Sequence, residues 1–124
     1  MKVMIVDDSR SMRRLIKMAL KHVGEVDVVE AENGIQAIKK FQEGFPDLIL
    51  LDWNMPKMTG IDFLRRIKSH AQLQEIPVLM VTSEGRSGEI KKALSAGAAS
   101  YLVKPFKPPD LADRVTSLVD TADI

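Results

Sequence analysis

The sequence contains no cysteine. That excludes disulfides, thiolate-bound zinc and a cysteine nucleophile, and it fits a reducing compartment, so a cytoplasmic protein is expected. An excess of one charge sign is also missing. Eighteen lysines and arginines face 17 aspartates and glutamates, a net charge of +1. Composition therefore makes no case for direct nucleic-acid contact or for a membrane surface. Long apolar runs are absent, and no segment approaches the roughly 20 apolar residues of a membrane helix. The opening Met1-Lys2-Val3-Met4-Ile5-Val6 looks like the start of a signal peptide, but its apolar run of four residues stops at Asp7-Asp8, too short for a signal core. Linkers and low-complexity tracts are lacking too. The 124 residues, 45% hydrophobic and 28% charged, read as one domain over residues 1–124 that can bury a core without staples.

What is present is organised around Pro46-Asp47-Leu48-Ile49-Leu50-Leu51-Asp52-Trp53-Asn54-Met55-Pro56. The unbroken apolar run Leu48 to Leu51 suits a strand buried on both faces of a parallel sheet. Asp52 follows at the strand's mouth, where open α/β sheets place their chemistry. Val3 to Val6, Val26 to Ala31, Pro77 to Val81 and Ser100 to Val103 read as further strands.

Between the strands the apolar period lengthens to that of helices. Met12, Leu15, Ile16, Ala19, Leu20 and Val23 form one expected inner face, with Arg13, Arg14 and Lys17 as a solvated face and Gly24 as the stop. Asn33 caps the next helix, with Gln36 as reciprocal partner, Ile35, Ile38 and Phe41 as the buried stripe and Gly44 as the end. Thr59 caps a third, with Ile61, Leu64 and Ile67 inward. A fourth covers 87–96 with Ile90, Ala93 and Leu94 inward, and the last opens at Pro108 or Pro109 with Leu111, Val115, Leu118 and Val119 inward. Five strand–helix units imply an α/β fold: a parallel sheet with helices on both faces.

In such a sheet all strand C-termini share one edge. Asp7 and Asp8, Asp52, Thr82 and Lys104 each follow a strand, so they converge on one crevice. Crowded carboxylates call for a cation, and oxygen-only ligands favour Mg²⁺ over zinc. A lysine and a hydroxyl across the crevice suit the remaining oxygens of a phosphoryl group. The chemistry this points to is phosphoryl transfer to a carboxylate. Taken singly each residue has a plainer reading. Asp7 and Asp8 could cap a helix, Asp52 and Thr82 could serve turns, Lys104 could be a solvated lysine and Tyr101 an edge-strand aromatic. His22 and His70 read as surface histidines, and Met12, Met18 and Met80 as core filler.

The segments V-D-D-S-R-S-M-R-R, L-D-W-N-M-P-K-M-T-G, V-T-S-E-G and Y-L-V-K-P-F stand in that order, each at a strand end. With them the sequence resembles, over essentially its whole length, the receiver domain of two-component response regulators, most closely the single-domain chemotaxis regulators of the CheY type. The resemblance implies a flavodoxin-like fold of strand order 2-1-3-4-5. It implies that Asp52 accepts a phosphoryl group from a histidine kinase, that Asp8, Asp52 and the Asn54 carbonyl ligate Mg²⁺ with Asp7 acting through water, and that Lys104 and Thr82 contact the phosphoryl group. The Lys104-Pro105 bond would be cis. Thr82 and Tyr101 would form a switch, the tyrosine turning inward from an exposed position. Asn54, Ser83 and Glu84 would modulate the site, Glu84 by adding charge near the phosphate. Ile90, Tyr101, Phe106 and Arg114 would centre a surface for a flagellar-motor protein or another target, with a phosphatase as a further possible partner. The chain would be a monomeric signalling phosphoacceptor that assists its own phosphorylation and dephosphorylation, not an enzyme.

Three other functions compete. One is a receiver used as a phosphorelay shuttle or in another process. A second is an aspartyl-nucleophile Mg²⁺-dependent phosphatase, which places a second aspartate two residues after the first as general acid; here that residue is Asn54. The third, a flavin or nucleotide binder, conflicts with crowded acids that would repel phosphate unless a metal intervened.

Overall fold

The computed structural model describes residues 1–122. Five strands, β1 (Lys2–Val6), β2 (Asp27–Ala31), β3 (Leu48–Leu51), β4 (Val78–Thr82) and β5 (Ser100–Val103), alternate with five helices, α1 (Arg10–Leu20), α2 (Gly34–Lys40), α3 (Gly60–Ser69), α4 (Ser87–Ser95) and α5 (Pro108–Ala122). All strand pairs are parallel, in the order β2-β1-β3-β4-β5. Every residue of β3 and β4 is buried, as expected of strands covered on both faces. Met4, Val6, Ile49, Leu51 and Met80 meet α2, α3 and α4 on one face. Val3, Ile5, Leu48, Leu50 and Val81 meet α1 and α5 on the other. The chain reverses its direction of travel across the sheet between β1 and β3, so the switch-point crevice opens at their C-terminal ends.

Side-chain capping fixes where three helices begin. Ser9, Asn33 and Thr59 each accept a hydrogen bond from the backbone N–H three residues on. The Gln36 side chain accepts from the Glu32 N–H at 2.9 Å, one residue earlier than a reciprocal capping box would place it.

Three expected inner faces differ. On α1, Leu15 and Met18 are exposed and Arg13 is buried. On α2, Ile35 and Ile38 are exposed, and Gly34, Ala37 and Phe41 face inward. The cause on α2 is close approach: a Cβ on Gly34 would stand 2.8 Å from Met58 Sδ and 3.1 Å from a Phe63 ring carbon. Small residues take the contact and the isoleucines are displaced to its flanks. Leu94 on α4 is likewise exposed. No helix among the described residues is long and apolar enough to cross a membrane.

Candidate functional site

The site is built at the ends of β1, β3, β4 and β5. β1 runs into Asp7 and β3 into Asp52, and both carboxylates are buried while Asp8 is exposed. The backbone continues the ladder one residue past each strand: the Asp7 N–H donates to the Ala31 carbonyl at 3.1 Å and the Asp52 N–H to the Val6 carbonyl at 3.0 Å. That ladder sets the two acids side by side. Carboxylate oxygens of Asp7, Asp8 and Asp52 all lie within 4.8 Å of one another. Like charges at that distance, two of them desolvated, need a counter-charge.

Lys104, just past β5, supplies part of it. Its Nζ lies 2.8 Å from Asp7 Oδ2 and 3.8 Å from Asp52 Oδ2. The Lys104-Pro105 bond is cis, as the resemblance implies. The other Asp7 oxygen accepts the Ser9 N–H at 2.9 Å, so both oxygens of that carboxylate already hold donors. Asp8, exposed at the mouth of the crevice, is the least encumbered of the three acids. A cluster of three oxygen donors beside one lysine fits a hard divalent cation, and nothing in it suits a soft metal.

Burial raises the Asp52 pKa above its usual value. Attraction to Lys104 works against this, repulsion from Asp7 adds to it, and hydrogen bonds from the Thr82 hydroxyl and the Trp53 amide oppose it. Thr82 ends β4 and is fully buried; its hydroxyl also accepts the Glu84 N–H at 3.3 Å. Ser83 and Asn54 are exposed at the rim.

Two expectations about the rim change. Tyr101 does not sit outward. It is buried, and its hydroxyl donates to the Glu84 carbonyl at 2.6 Å, which gives the phenol a partner and removes the penalty of burying it. Burial there pushes the phenol pKa up to about 12. Nor does Glu84 add a free charge. Its oxygens meet Arg86 Nε at 2.7 Å and Arg86 Nη2 at 3.1 Å, which holds the carboxyl below its usual range.

Sequence reasoning missed two residues that position the acids. Arg13, placed on the solvated face, is buried: Nη1 donates to the Asp7 carbonyl at 2.8 Å and Nε to Glu30 at 3.0 Å. An arginine three residues after a helix start carries no signal that distinguishes these fates. Gly60, the residue after the Thr59 cap, is the second. Its N–H donates to the Trp53 carbonyl at 2.7 Å, and a Cβ there would lie 2.1 Å from the Asp52 carbonyl oxygen. The T-G pair after the capping threonine was the available clue.

Of the expected partner surface, Ile90 and Tyr101 belong to one hydrophobic layer, and Phe106 packs on the other. β5 is the sheet edge, with one layer on either side of it. Arg114 Nη1 donates to Ser100 Oγ at 3.1 Å and to the Tyr101 carbonyl, tying α5 to that edge.

Known proteins place the chain. Its residues 3–116 match the response regulator receiver domain. It is 42% identical over 124 residues to the chemotaxis protein CheY1 of Helicobacter pylori, covering 99% of this chain and 100% of that protein. Among solved structures, the chemotaxis response regulator CheY4 of Vibrio cholerae superposes with a TM-score of 0.86 at 35% identity, covering 94% of this chain and 97% of that one. The Mn²⁺-bound form of the response regulator Rcp1 superposes with a TM-score of 0.79 at 27% identity, covering 94% and 90%. With three acids at the switch point of a 2-1-3-4-5 sheet and full-length likeness to these proteins, the chain belongs to the response regulator receiver family.

Proposed function

We propose that this protein is a chemotaxis-type response regulator that accepts a phosphoryl group on Asp52 from a histidine kinase. The observation that carries the reading is the buried Asp52 carboxylate, flanked by Asp7 and Asp8 and faced by Lys104 and Thr82. An Asp52 oxygen attacks phosphorus, the bond from phosphorus to the donor imidazole nitrogen breaks, and the imidazole leaves with the electron pair. Lys104 is already within 3.8 Å of Asp52 and offers charge to the oxygens of the incoming group. The Thr82 hydroxyl, on the adjoining strand, would donate to it.

Asp8, Asp52 and the Asn54 carbonyl would hold Mg²⁺, with Asp7 acting through water because its own oxygens are engaged. Bound there, the ion neutralises the crowded carboxylates and the phosphoryl oxygens. The Mn²⁺-bound Rcp1 structure supports a divalent ion in this fold. A phosphoryl group adds about 1.5 to 2 negative charges. It draws the Thr82 hydroxyl, which also accepts the Glu84 N–H, and competes with Asp7 for Lys104, and so biases the 82–86 turn and Tyr101. The readout is a protein partner, a flagellar-motor component or a comparable target, docking on α4, β5 and α5.

Incubation with a small phosphodonor and Mg²⁺, followed by intact mass, tests this. A gain of one phosphoryl group, absent in Asp52→Asn, is expected; no adduct with donor or kinase would overturn the proposal. Trp53, next to Asp52, should report Mg²⁺ by fluorescence, and a flat titration at millimolar Mg²⁺ would contradict the metal site.

A further inference from the structure

We propose a second binding site: the groove between α1 and α2 docks an acidic peptide segment of a partner protein. The groove has a volume of about 720 Å³ and is separate from the Asp52 crevice. Four cations of α1, Arg10, Arg13, Arg14 and Lys17, and Lys40 of α2 line it against Glu30 and Glu32. The local balance is plus three, in a chain whose net charge is only +1. Every lining residue is polar or charged.

The cations fall into two sets. Arg13 Nε and Lys17 Nζ hold the Glu30 carboxylate at 3.0 and 2.9 Å. Arg10, Arg14 and Lys40 have no ion-pair partner among the described residues. Arg10 and Arg14 are exposed one turn apart on the same helix face, and Lys40 stands half-buried on the opposite wall. Folding leaves these charges unanswered, in a row about 6 Å long that continues across the groove.

The geometry selects the occupant. The unpaired cations stand on two helices, Arg10 and Arg14 on α1 and Lys40 on α2, so an extended anion matches them better than one compact phosphate. A segment with carboxylates at one-turn spacing meets both guanidinium forks and the lysine together, in the planar pairing that guanidinium and carboxylate favour. No aromatic ring lines the groove, so a nucleotide base has nothing to stack on. No apolar side chain lines it either, so a lipid chain or an apolar anchor finds no seat. Arg13 joins this site to the other: it contacts Glu30 in the groove and the Asp7 carbonyl beneath it.

A fluorescein-labelled hexaglutamate peptide, titrated with the whole chain and followed by anisotropy, tests the proposal at salt below about 0.1 M, where screening is weak. Saturable one-to-one binding is expected. Arg10→Glu with Arg14→Glu should weaken it about tenfold or more, since two favourable pairs become repulsive. Lys91→Glu with Lys92→Glu, on exposed residues of α4, makes the same change in net charge and should weaken it less than about twofold. Circular dichroism melts of both variants control for folding. Absence of saturable binding would overturn the site. Equal weakening by the two variants would show only the field of the whole protein. Displacement by tripolyphosphate at lower concentration than by unlabelled hexaglutamate would make it a phosphate site.

Discussion

Replacing Asp52 by asparagine should stabilise the metal-free protein, although it destroys the proposed phosphoacceptor. Asp52 is only 7% exposed, and burial raises its pKa from the ordinary 3.8; Lys104 offsets this in part, from 3.8 Å, while Asp7 adds to it. A carboxyl whose folded pKa is raised favours folding only while protonated. That contribution is full below the unfolded value and is lost as pH rises through the folded one. At neutral pH the ionised group therefore opposes folding. The nearly isosteric amide removes the charge, and Lys104 keeps its 2.8 Å partner Asp7, so no cation is orphaned. The gain should be about 1 kcal/mol, the scale seen when a destabilised functional site is relieved. For a domain of this size that is about 4 °C in Tm. Mg²⁺ should close the gap. At ten times its Kd it stabilises the wild type by about 1.4 kcal/mol, and the variant, lacking one acid, by less. Calorimetric melts at neutral pH, with chelator and then with Mg²⁺, measure both effects. A variant less stable than wild type in chelator, or an equal Mg²⁺ shift in both proteins, would refute the reasoning.

Arg13→Met should destabilise the fold by about 2 kcal/mol, read from urea midpoints, because it strips the donor from the Asp7 carbonyl and one of two cations from Glu30; a surface-like change under about 0.5 kcal/mol would contradict its burial. Gly60→Ala should cost at least about 3 kcal/mol or prevent folding, since its Cβ would meet the Asp52 carbonyl oxygen at 2.1 Å; a near-neutral melt would sink the argument. Tyr101, the single tyrosine, should ionise at about 12 in an ultraviolet titration. Because that folded pKa is raised, its contribution to stability is present below about 10 and lost between about 10 and 12. Tyr101→Phe should lose that alkaline step, and an unchanged alkaline profile would argue against the burial of the phenol.

The central strands were legible because they are nearly pure apolar runs ended by polar residues: Leu48 to Leu51 reads the same in sequence and in space, whereas the edge strand β2 carries Asp27 and Glu30. Asn33 and Thr59 were legible as caps because their chemistry is local. The convergence of Asp7, Asp52, Thr82 and Lys104 followed from topology alone, since parallel strands share an edge. Helix faces were less legible. Period identifies an amphipathic helix but not how closely it approaches its neighbours, here Met58 and Phe63, so Gly34 and Ala37 took the contact assigned to Ile35 and Ile38. Arg13 and Tyr101 were misplaced for a related reason. Each is buried because a backbone carbonyl outside its own element, of Asp7 or of Glu84, accepts from its donor. Composition and spacing carry no record of such a partner. The Arg86 clamp on Glu84 likewise depends on the path of the 82–86 turn.

The central claim is that Asp52, and no other acid of the cluster, receives the phosphoryl group. The direct measurement is residue-level mapping: phosphorylation with a small phosphodonor and Mg²⁺, reductive trapping of the acyl phosphate with borohydride, proteolysis and peptide mass analysis. The reduced residue should be Asp52 alone, with trapping abolished by chelator. Trapping at Asp7 or Asp8, or none at any carboxylate, would contradict it.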